Sequence, residues 1–93
     1  MSKSIMVEDM RYCIVCGKLA EEHHVFFGTS NRKISDKYGL VVPLCPEHHR
    51  NGADCPHKNK AVRLVLECWA QTVYESQIGT RDDFRRDFGK SRL

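Results

Sequence analysis

The sequence predicts a small α+β fold, in which two short strands and a short helix adjoin a cysteine-rich knuckle and two more helices follow. All five histidines and four of the five cysteines lie between Cys13 and His57, which concentrates the metal-binding side chains in the first two thirds of the chain. Within that region, two short runs rich in β-branched and aromatic residues have the composition of strands. After residue 59, apolar residues recur at helical spacing.

The length and the cysteine content indicate a small domain that relies on metal. A chain of 93 residues allows one domain with a small core, and domains of this size often need a metal or disulfides. Five cysteines are an odd number, which argues against a complete disulfide framework. The N-terminal segment lacks the apolar run of a signal peptide. We therefore expect an intracellular protein whose reduced cysteines bind metal and which makes no membrane contact.

The chain reads as one domain, 1–93, with three parts. Residues 1–11 form a weakly docked leader, 12–58 hold the knuckle and the strands, and 59–93 form a helical extension. In the middle part, "HHVFFG" (23–28) is a predicted strand, the polar "TSNRKISDKYG" (29–39) a loop, and "LVVPLC" (40–45) a second strand. Pro46 fits the first turn of a short helix through "EHHRN", and Gly52 fits its end.

Two helices are predicted in the extension. Asn59 can cap a long helix that ends near Gly79, and Thr80 with Asp83 resembles a capping box for a short last helix that ends at Gly89. Phe84 and Phe88 lie one turn apart on that last helix. The apolar stripe predicted on the long helix consists of Val62, Val65, Leu66, Trp69 and Val73.

Two matched half-sites predict a structural zinc ion. Cys13-x-x-Cys16 is followed by Gly17, which favours a tight turn, and Cys45-x-x-His48 repeats the spacing. Three thiolates and one imidazole form a ligand set that zinc prefers. The fourth ligand stays open, because Cys55 or His57 can replace His48. Cys68 lies within the long helix and is expected to be a core residue.

A second cluster remains once the knuckle is assigned. His23 and His49 can hold a divalent cation from a strand and a helix, with its other positions open to water and phosphate. Because side chains alternate along a strand, His24 projects from the opposite side to His23. The ordinary pKa of histidine, about 6.5, suits His24 to act as a general base that activates water.

These motifs together resemble a known family. Cys13-x-x-Cys16, Glu21-x-His23-His24 and the segment "PLCPEHH" (43–49) are similar to the HNH endonucleases of the ββα-metal group, and in particular to small zinc-knuckle HNH proteins of bacteriophages and prophages. The resemblance covers residues 12–58, about half of the chain. It implies a ββα-metal core that hydrolyses DNA phosphodiester bonds with a divalent metal, namely magnesium, manganese, nickel or zinc.

The resemblance also implies a role for each matching residue. His23 and His49 would bind the catalytic metal, His24 would be the general base, and Glu21 would help to orient the site. His57 is a further candidate ligand, at the position of a histidine that often ends the short helix. The sequence departs from the family at the middle asparagine of the motif, which usually orients the general base. Leu40 stands near its place, and Asn31 is a loosely aligned substitute.

The net charge of +3 permits a polyanionic partner without requiring one. We expect DNA, bound with low sequence specificity in the cytoplasm of a bacterial host, and a protein partner in recombination or packaging fits the resemblance. The oligomeric state is open. Asp54 is expected to cap a turn. The basic residues that flank the site are candidates for phosphate contacts: Arg32, Lys33, Lys37, Arg50, Lys58, Lys60 and Arg63.

Two other functions fit the same residues. The first is a zinc-binding module without chemistry, which binds DNA or a protein partner through this fold. The second is an all-structural protein in which two zinc ions both act as scaffolds, using His23, His24, His49, Cys55 and His57.

Overall fold

Two antiparallel strands form the sheet, and the first of them places His23 in the buried interior of the fold. In the computed structural model, which describes residues 4–53 and 55–93, β1 spans Glu21–His24 and β2 spans Val41–Leu44. Their register pairs His23 with Val42 and His24 with Val41. All four residues of β2 are buried, so the strand lies within the core. The predicted small α+β fold is confirmed.

The first strand is shorter than predicted and begins earlier. Val25 and Phe26 follow β1 but leave the sheet, and both are essentially buried in the core. The N–H of Val25 still donates to the carbonyl of Leu40 at 3.1 Å, which keeps the chain beside the start of β2. The predicted end of the strand at Gly28 was wrong, because β1 ends at His24 and these two side chains join the core beyond the paired strands.

The first half of the knuckle, which carries Cys13 and Cys16, is a tight turn that precedes β1. The N–H of Gly17 donates to the carbonyl of Cys13 at 2.9 Å, and Gly17 has a φ of 78° that few other residues adopt. A bridge between Tyr12 and Leu19 closes the turn. The N–H of Ile14 donates to the carbonyl of Pro43 at 3.1 Å, so the turn is fixed against β2.

The predicted loop at 29–39 is wrong, because this segment is helix α1, Thr29–Tyr38. Only Ile34 and Tyr38 are large apolar residues in the segment, too few for a clear helical period, and both pack against the core. Ser35 is buried, where its hydroxyl donates to the carbonyl of Phe26 at 2.9 Å and accepts from its N–H at 3.2 Å. Tertiary contacts therefore stabilise a helix that composition does not reveal.

The later helices follow the predicted order. A single π-helical turn spans Glu47–Asn51, α2 spans Lys60–Gln77 and α3 spans Arg81–Phe88. The Asn59 side chain caps α2, accepting from two backbone N–H groups. Thr80 and Asp83 form the predicted capping box of α3. Asp54, the predicted turn residue, lies outside the described residues.

The buried face of α2 is rotated from the predicted stripe. Leu66, Ala70 and Tyr74 are buried, whereas Val65 is 67% exposed. They join a core that includes Phe26, and from α3 the rings of Phe84 and Phe88. Spacing alone could not choose this face, because small Ala70 and polar-tipped Tyr74 carry weak apolar signals. Trp69 of the predicted stripe is half-buried against this core.

Both described ends of the chain are docked. In the leader, the hydroxyl of Ser4 donates to the carbonyl of Val41 at 2.7 Å, and Ile5 packs against the core. At the other end, buried Gln71 accepts from the N–H of Arg92 at 2.6 Å and donates to Ser91 at 2.9 Å. Among the helices of the described residues, none is long and apolar enough to cross a membrane.

Replacement of Ser35 tests the packing of α1. We expect Ser35→Ala to lower the free energy of unfolding by about 1–3 kcal/mol, because the buried N–H and carbonyl of Phe26 lose their partner. Urea denaturation measures the change. Ser30→Ala on the exposed side of α1 is the control and should stay within about 0.5 kcal/mol of wild type. Equal midpoints for the two variants would contradict the assigned packing.

Candidate metal centres

Four ligand atoms of the knuckle converge on one point. The side chains of Cys13, Cys16, Cys45 and His48 place one ligand atom each within 4.8 Å of one another. The Sγ atoms of Cys16 and Cys45 are 3.5 Å apart, and the Nδ1 of His48 is 3.2 Å from the Sγ of Cys45. Zn–S bonds of about 2.3 Å and Zn–N bonds of about 2.1 Å require separations of this size. This cluster could hold one metal ion.

The surroundings lower the pKa of Cys13 and Cys45 and raise that of Cys16, so they favour ionisation of two of the three thiols. Burial opposes ionisation of Cys13, but nearby backbone N–H groups outweigh burial and lower the pKa of this thiol to about 6. The hydrogen bond to Cys45 raises the pKa of His48.

The three other sulfur and imidazole candidates lie elsewhere. Within the described part of the chain, neither Cys55 nor His57 belongs to the knuckle cluster, so His48 is its imidazole. Cys55 is fully buried. Cys68 is half-buried rather than central to the core, and its Sγ lies 3.2 Å from the carbonyl oxygen of Arg92.

A second cluster contains imidazoles alone. His23 on β1, His49 on the π-helical turn and His57 before α2 place their ligand nitrogens within 4.8 Å of one another. The ring centres of His23 are 5.0 Å from those of His49 and 5.3 Å from those of His57. His57 belongs here although a glycine separates it from the short helix, because its ring also lies 5.0 Å from that of His49. This set could also hold a metal ion.

The state of His23 fits a metal ligand. Its ring is 1% exposed, and among the described residues its Nε2 is a buried polar atom without a hydrogen-bond partner. Such atoms are rare in folded proteins and often mark an ion or water site. Burial, together with repulsion from His49, His57 and His24, lowers the pKa of His23 to about 3. The ring therefore stays neutral and keeps a lone pair that can bind a cation.

Glu21 fixes the orientation of His49. Its carboxylate accepts a hydrogen bond from the Nδ1 of His49 at 2.6 Å and another from Arg50 at 2.9 Å. The hydrogen bond from His49 is the main reason that the pKa of Glu21 is lowered. With its proton on Nδ1, the ring of His49 leaves Nε2 as the unprotonated nitrogen. Carboxylates that hold ligating histidines in this way are common around protein metals.

His24 lies between two carboxylates. Its Nε2 is 3.1 Å from an oxygen of Glu22 and 3.4 Å from an oxygen of Asp36. Asp36 was missed at the sequence level because it reaches the site only through helix α1. Within the described residues, neither Asn31 nor Leu40 takes the place of the family asparagine beside His24. Asn31 forms no hydrogen bond with His24, and Leu40 is a buried core residue.

The two histidines of the doublet differ in burial but share one cavity. His23 is buried and His24 is 14% exposed in its side chain, as strand alternation predicts. Both nevertheless line a cavity of about 360 Å³ that also includes Phe27, His49 and His57. The candidate base thus opens onto the same space as the candidate metal ligands.

The predicted phosphate-contact residues divide into two groups. Arg32 and Arg50 line the cavity, Lys33 lines the adjoining recess, and Arg63 lies over the ring of Phe27 at 5.7 Å. The other three lie elsewhere: Lys37 over Tyr38, Lys58 bonded to the carbonyl of Asn51, and Lys60 beside a separate recess at the start of α2.

Comparison of the chain with protein-family models, with curated proteins and with solved structures found no match. The functional proposal therefore depends on the motif residues and on the geometry described above.

Replacement of the knuckle cysteines tests the first cluster. We expect Cys13→Ser to lose the knuckle metal and to unfold at a much lower temperature, because metal binding contributes directly to folding in small domains. Elemental analysis and thermal denaturation measure the two effects.

Cys68→Ser is the matched control, since this thiol lies outside the cluster, and it should keep the full metal content. Cys55→Ser should destabilise the core but also keep the metal. Loss of metal from Cys55→Ser with retention in His48→Ala would overturn the assignment of the fourth ligand.

Proposed function

We propose that the protein is a metal-dependent endonuclease of the HNH type that hydrolyses phosphodiester bonds in DNA. The observation that carries the proposal is the buried, unpartnered Nε2 of His23 beside His49 and His57. If His23 had only a packing role, its buried Nε2 would be expected to have a hydrogen-bond partner within the fold. The grouping of the three rings at an open cavity instead supports a cation that can reach a substrate.

The knuckle supports the proposal because its ligand set suits a structural metal ion, whereas that of the imidazole cluster does not. Three sulfur ligands and one imidazole suit zinc, and four protein ligands leave no position for substrate. The three-imidazole cluster is chemically different, since three ligands leave positions for water and phosphate. Imidazole suits zinc and nickel better than magnesium, so we expect one of these or manganese to be the active metal.

His24 has the surroundings of a general base. The carboxylates of Glu22 and Asp36 lie at its Nε2, so the ring proton is held there and Nδ1 is the nitrogen that can accept a proton. A carboxylate behind a catalytic histidine fixes the tautomer and stabilises the imidazolium that forms. We infer that these two acids replace the asparagine missing from the motif.

The reaction that follows is hydrolysis of a phosphodiester. His24 takes a proton from a water molecule, the water oxygen forms a bond to phosphorus, and the bond from phosphorus to the 3′ oxygen breaks. His23, His49 and His57 would hold a divalent cation, which when bound would stabilise the extra negative charge on the phosphate and the leaving oxygen. Arg32 and Arg50 line the same cavity and can hold the flanking phosphates.

The basic side chains around the cavity support the proposed substrate. Basic side chains around the cavity contact backbone phosphates without reading bases, which supports low sequence specificity. A phage or prophage origin, a bacterial cytoplasmic location and a partner in recombination or packaging belong to the proposal through the motif resemblance alone. The competing function is a DNA-binding zinc module without chemistry, which predicts a shift of DNA mobility but no cleavage.

Replacement of the base tests the proposed chemistry. We expect His24→Ala to fold and keep its full metal content while plasmid nicking falls about 10²–10⁴-fold, the usual contribution of a general base. Nicking of supercoiled DNA is measured with magnesium, manganese, nickel and zinc in turn.

His49→Ala is the comparison, because it should lose both the activity and the second metal. A His24→Ala protein that nicks DNA as fast as wild type would exclude this ring as the base. Binding of DNA by wild type without cleavage in any of the four metals would favour the module.

Replacement of Glu21 tests the orientation of His49. Glu21→Gln removes the charge behind the ring, and we expect the second metal to bind about 10–100-fold more weakly, with the knuckle zinc retained. Metal titration by calorimetry measures the change. Glu47→Gln on the exposed side of the same π-helical turn is the control and should bind as wild type does. Equal affinities for the two variants would contradict the proposed role of Glu21.

A further inference from the structure

A third set of ligand atoms lies beside the imidazole cluster. Glu22 and His24 on β1 and Asp36 on α1 place one carboxylate oxygen, one ring nitrogen and another carboxylate oxygen within 4.8 Å of one another. The set joins two elements, so it is more than a run of neighbouring acids. His24 is the proposed general base, and the two acids are the groups that flank it.

The spacing of these atoms fits a bound cation. Hard divalent ions bind oxygen and nitrogen at about 2.1–2.3 Å, and two adjacent ligands of one ion are then roughly 3 Å apart. The Nε2 of His24 is 3.1 Å from Glu22 and 3.4 Å from Asp36. The same distances allow the carboxylates to accept the ring proton when no cation is present. The set is therefore compatible with a proton or with an ion between its members.

Charge and access also favour a cation. With a neutral ring, the set carries the charge of two carboxylates, and it borders an open recess of about 800 Å³. Arg32 and Lys33 line that recess as well, and they offer competing positive charge. Both are surface side chains on α1, so a divalent ion can displace them without unfolding the helix.

We propose that Glu22, His24 and Asp36 form a second divalent-cation site that inhibits the enzyme when the metal is abundant. The inference rests on the proposed role of His24. A neutral imidazole carries one hydrogen, so a cation on Nε2 leaves that hydrogen on Nδ1. The ring then cannot take a proton from water. Two carboxylates and one imidazole suit manganese. Because Arg32 and Lys33 compete for the two acids, we expect this site to fill after the three-imidazole cluster.

Manganese binding tests the site directly. Protein that carries one equivalent of zinc, which fills the knuckle, is titrated with MnCl₂, and free Mn²⁺ is followed by electron paramagnetic resonance. We expect wild type to bind Mn²⁺ in a strong and a weak class, Asp36→Asn to lose the weak class, and His49→Ala to lose the strong class. Asp82→Asn is the matched control, because Asp82 is 89% exposed in its side chain on α3, and it should bind as wild type does. A crystal soaked in MnCl₂ should show an anomalous peak between Glu22, His24 and Asp36.

The activity arm separates inhibition from binding. Nicking by wild type should rise and then fall as Mn²⁺ increases, whereas nicking by Asp36→Asn, scaled to its own maximum, should lack the fall. Weak-class binding that is the same in Asp36→Asn and wild type would overturn the site and leave the carboxylates in their role as partners of the ring proton. Loss of the weak class in a protein that never cuts DNA would uphold the cation site but overturn both the inhibitory role and the nuclease proposal.

Discussion

The convergence of Cys13, Cys16, Cys45 and His48 is the constraint on which the rest of the structure depends. These four ligands join the turn before β1 to the segment after β2, and a 93-residue chain has little core with which to hold those segments otherwise. Strands β1 and β2 and helix α1 lie between the two half-sites along the chain. A metal ion held by the four ligands would therefore fix both ends of the segment that carries His23 and His24.

The imidazole cluster is tied to the knuckle because His48 and His49 are adjacent residues. His48 belongs to the knuckle and His49 to the imidazole cluster, and both lie on the same π-helical turn. The wider π-helical turn lets adjacent side chains serve separate centres, and such turns are frequent at functional sites. Glu21 then holds His49 from the facing strand, so its orientation is set by both elements. The proposed nuclease chemistry relies on this division between a closed centre and an open one.

Much of this arrangement could be predicted from the sequence, because ligand spacing is a local property. The paired x-x spacings located the knuckle, and the caps at Asn59 and Thr80 located the last two helices. Helix α1 could not be predicted in this way, since Ser35 is buried only because it bonds to Phe26. The missed helix also concealed Asp36. Likewise, the buried face of α2 is set by the rings of α3, which no pattern within α2 records.

The adjacency of His48 and His49 also links the redox state of the sulfur atoms to the second centre. Thiolates are oxidised in preference to thiols, and a sulfur converted to sulfenic acid or drawn into a disulfide is lost as a metal ligand. If the knuckle holds an ion, its release would remove the tie that fixes the π-helical turn next to His49. Oxidation of the sulfur ligands would then disturb the imidazole cluster without any change to its rings, and a reductant with added zinc would reverse the effect as long as oxidation had stopped at a reversible stage.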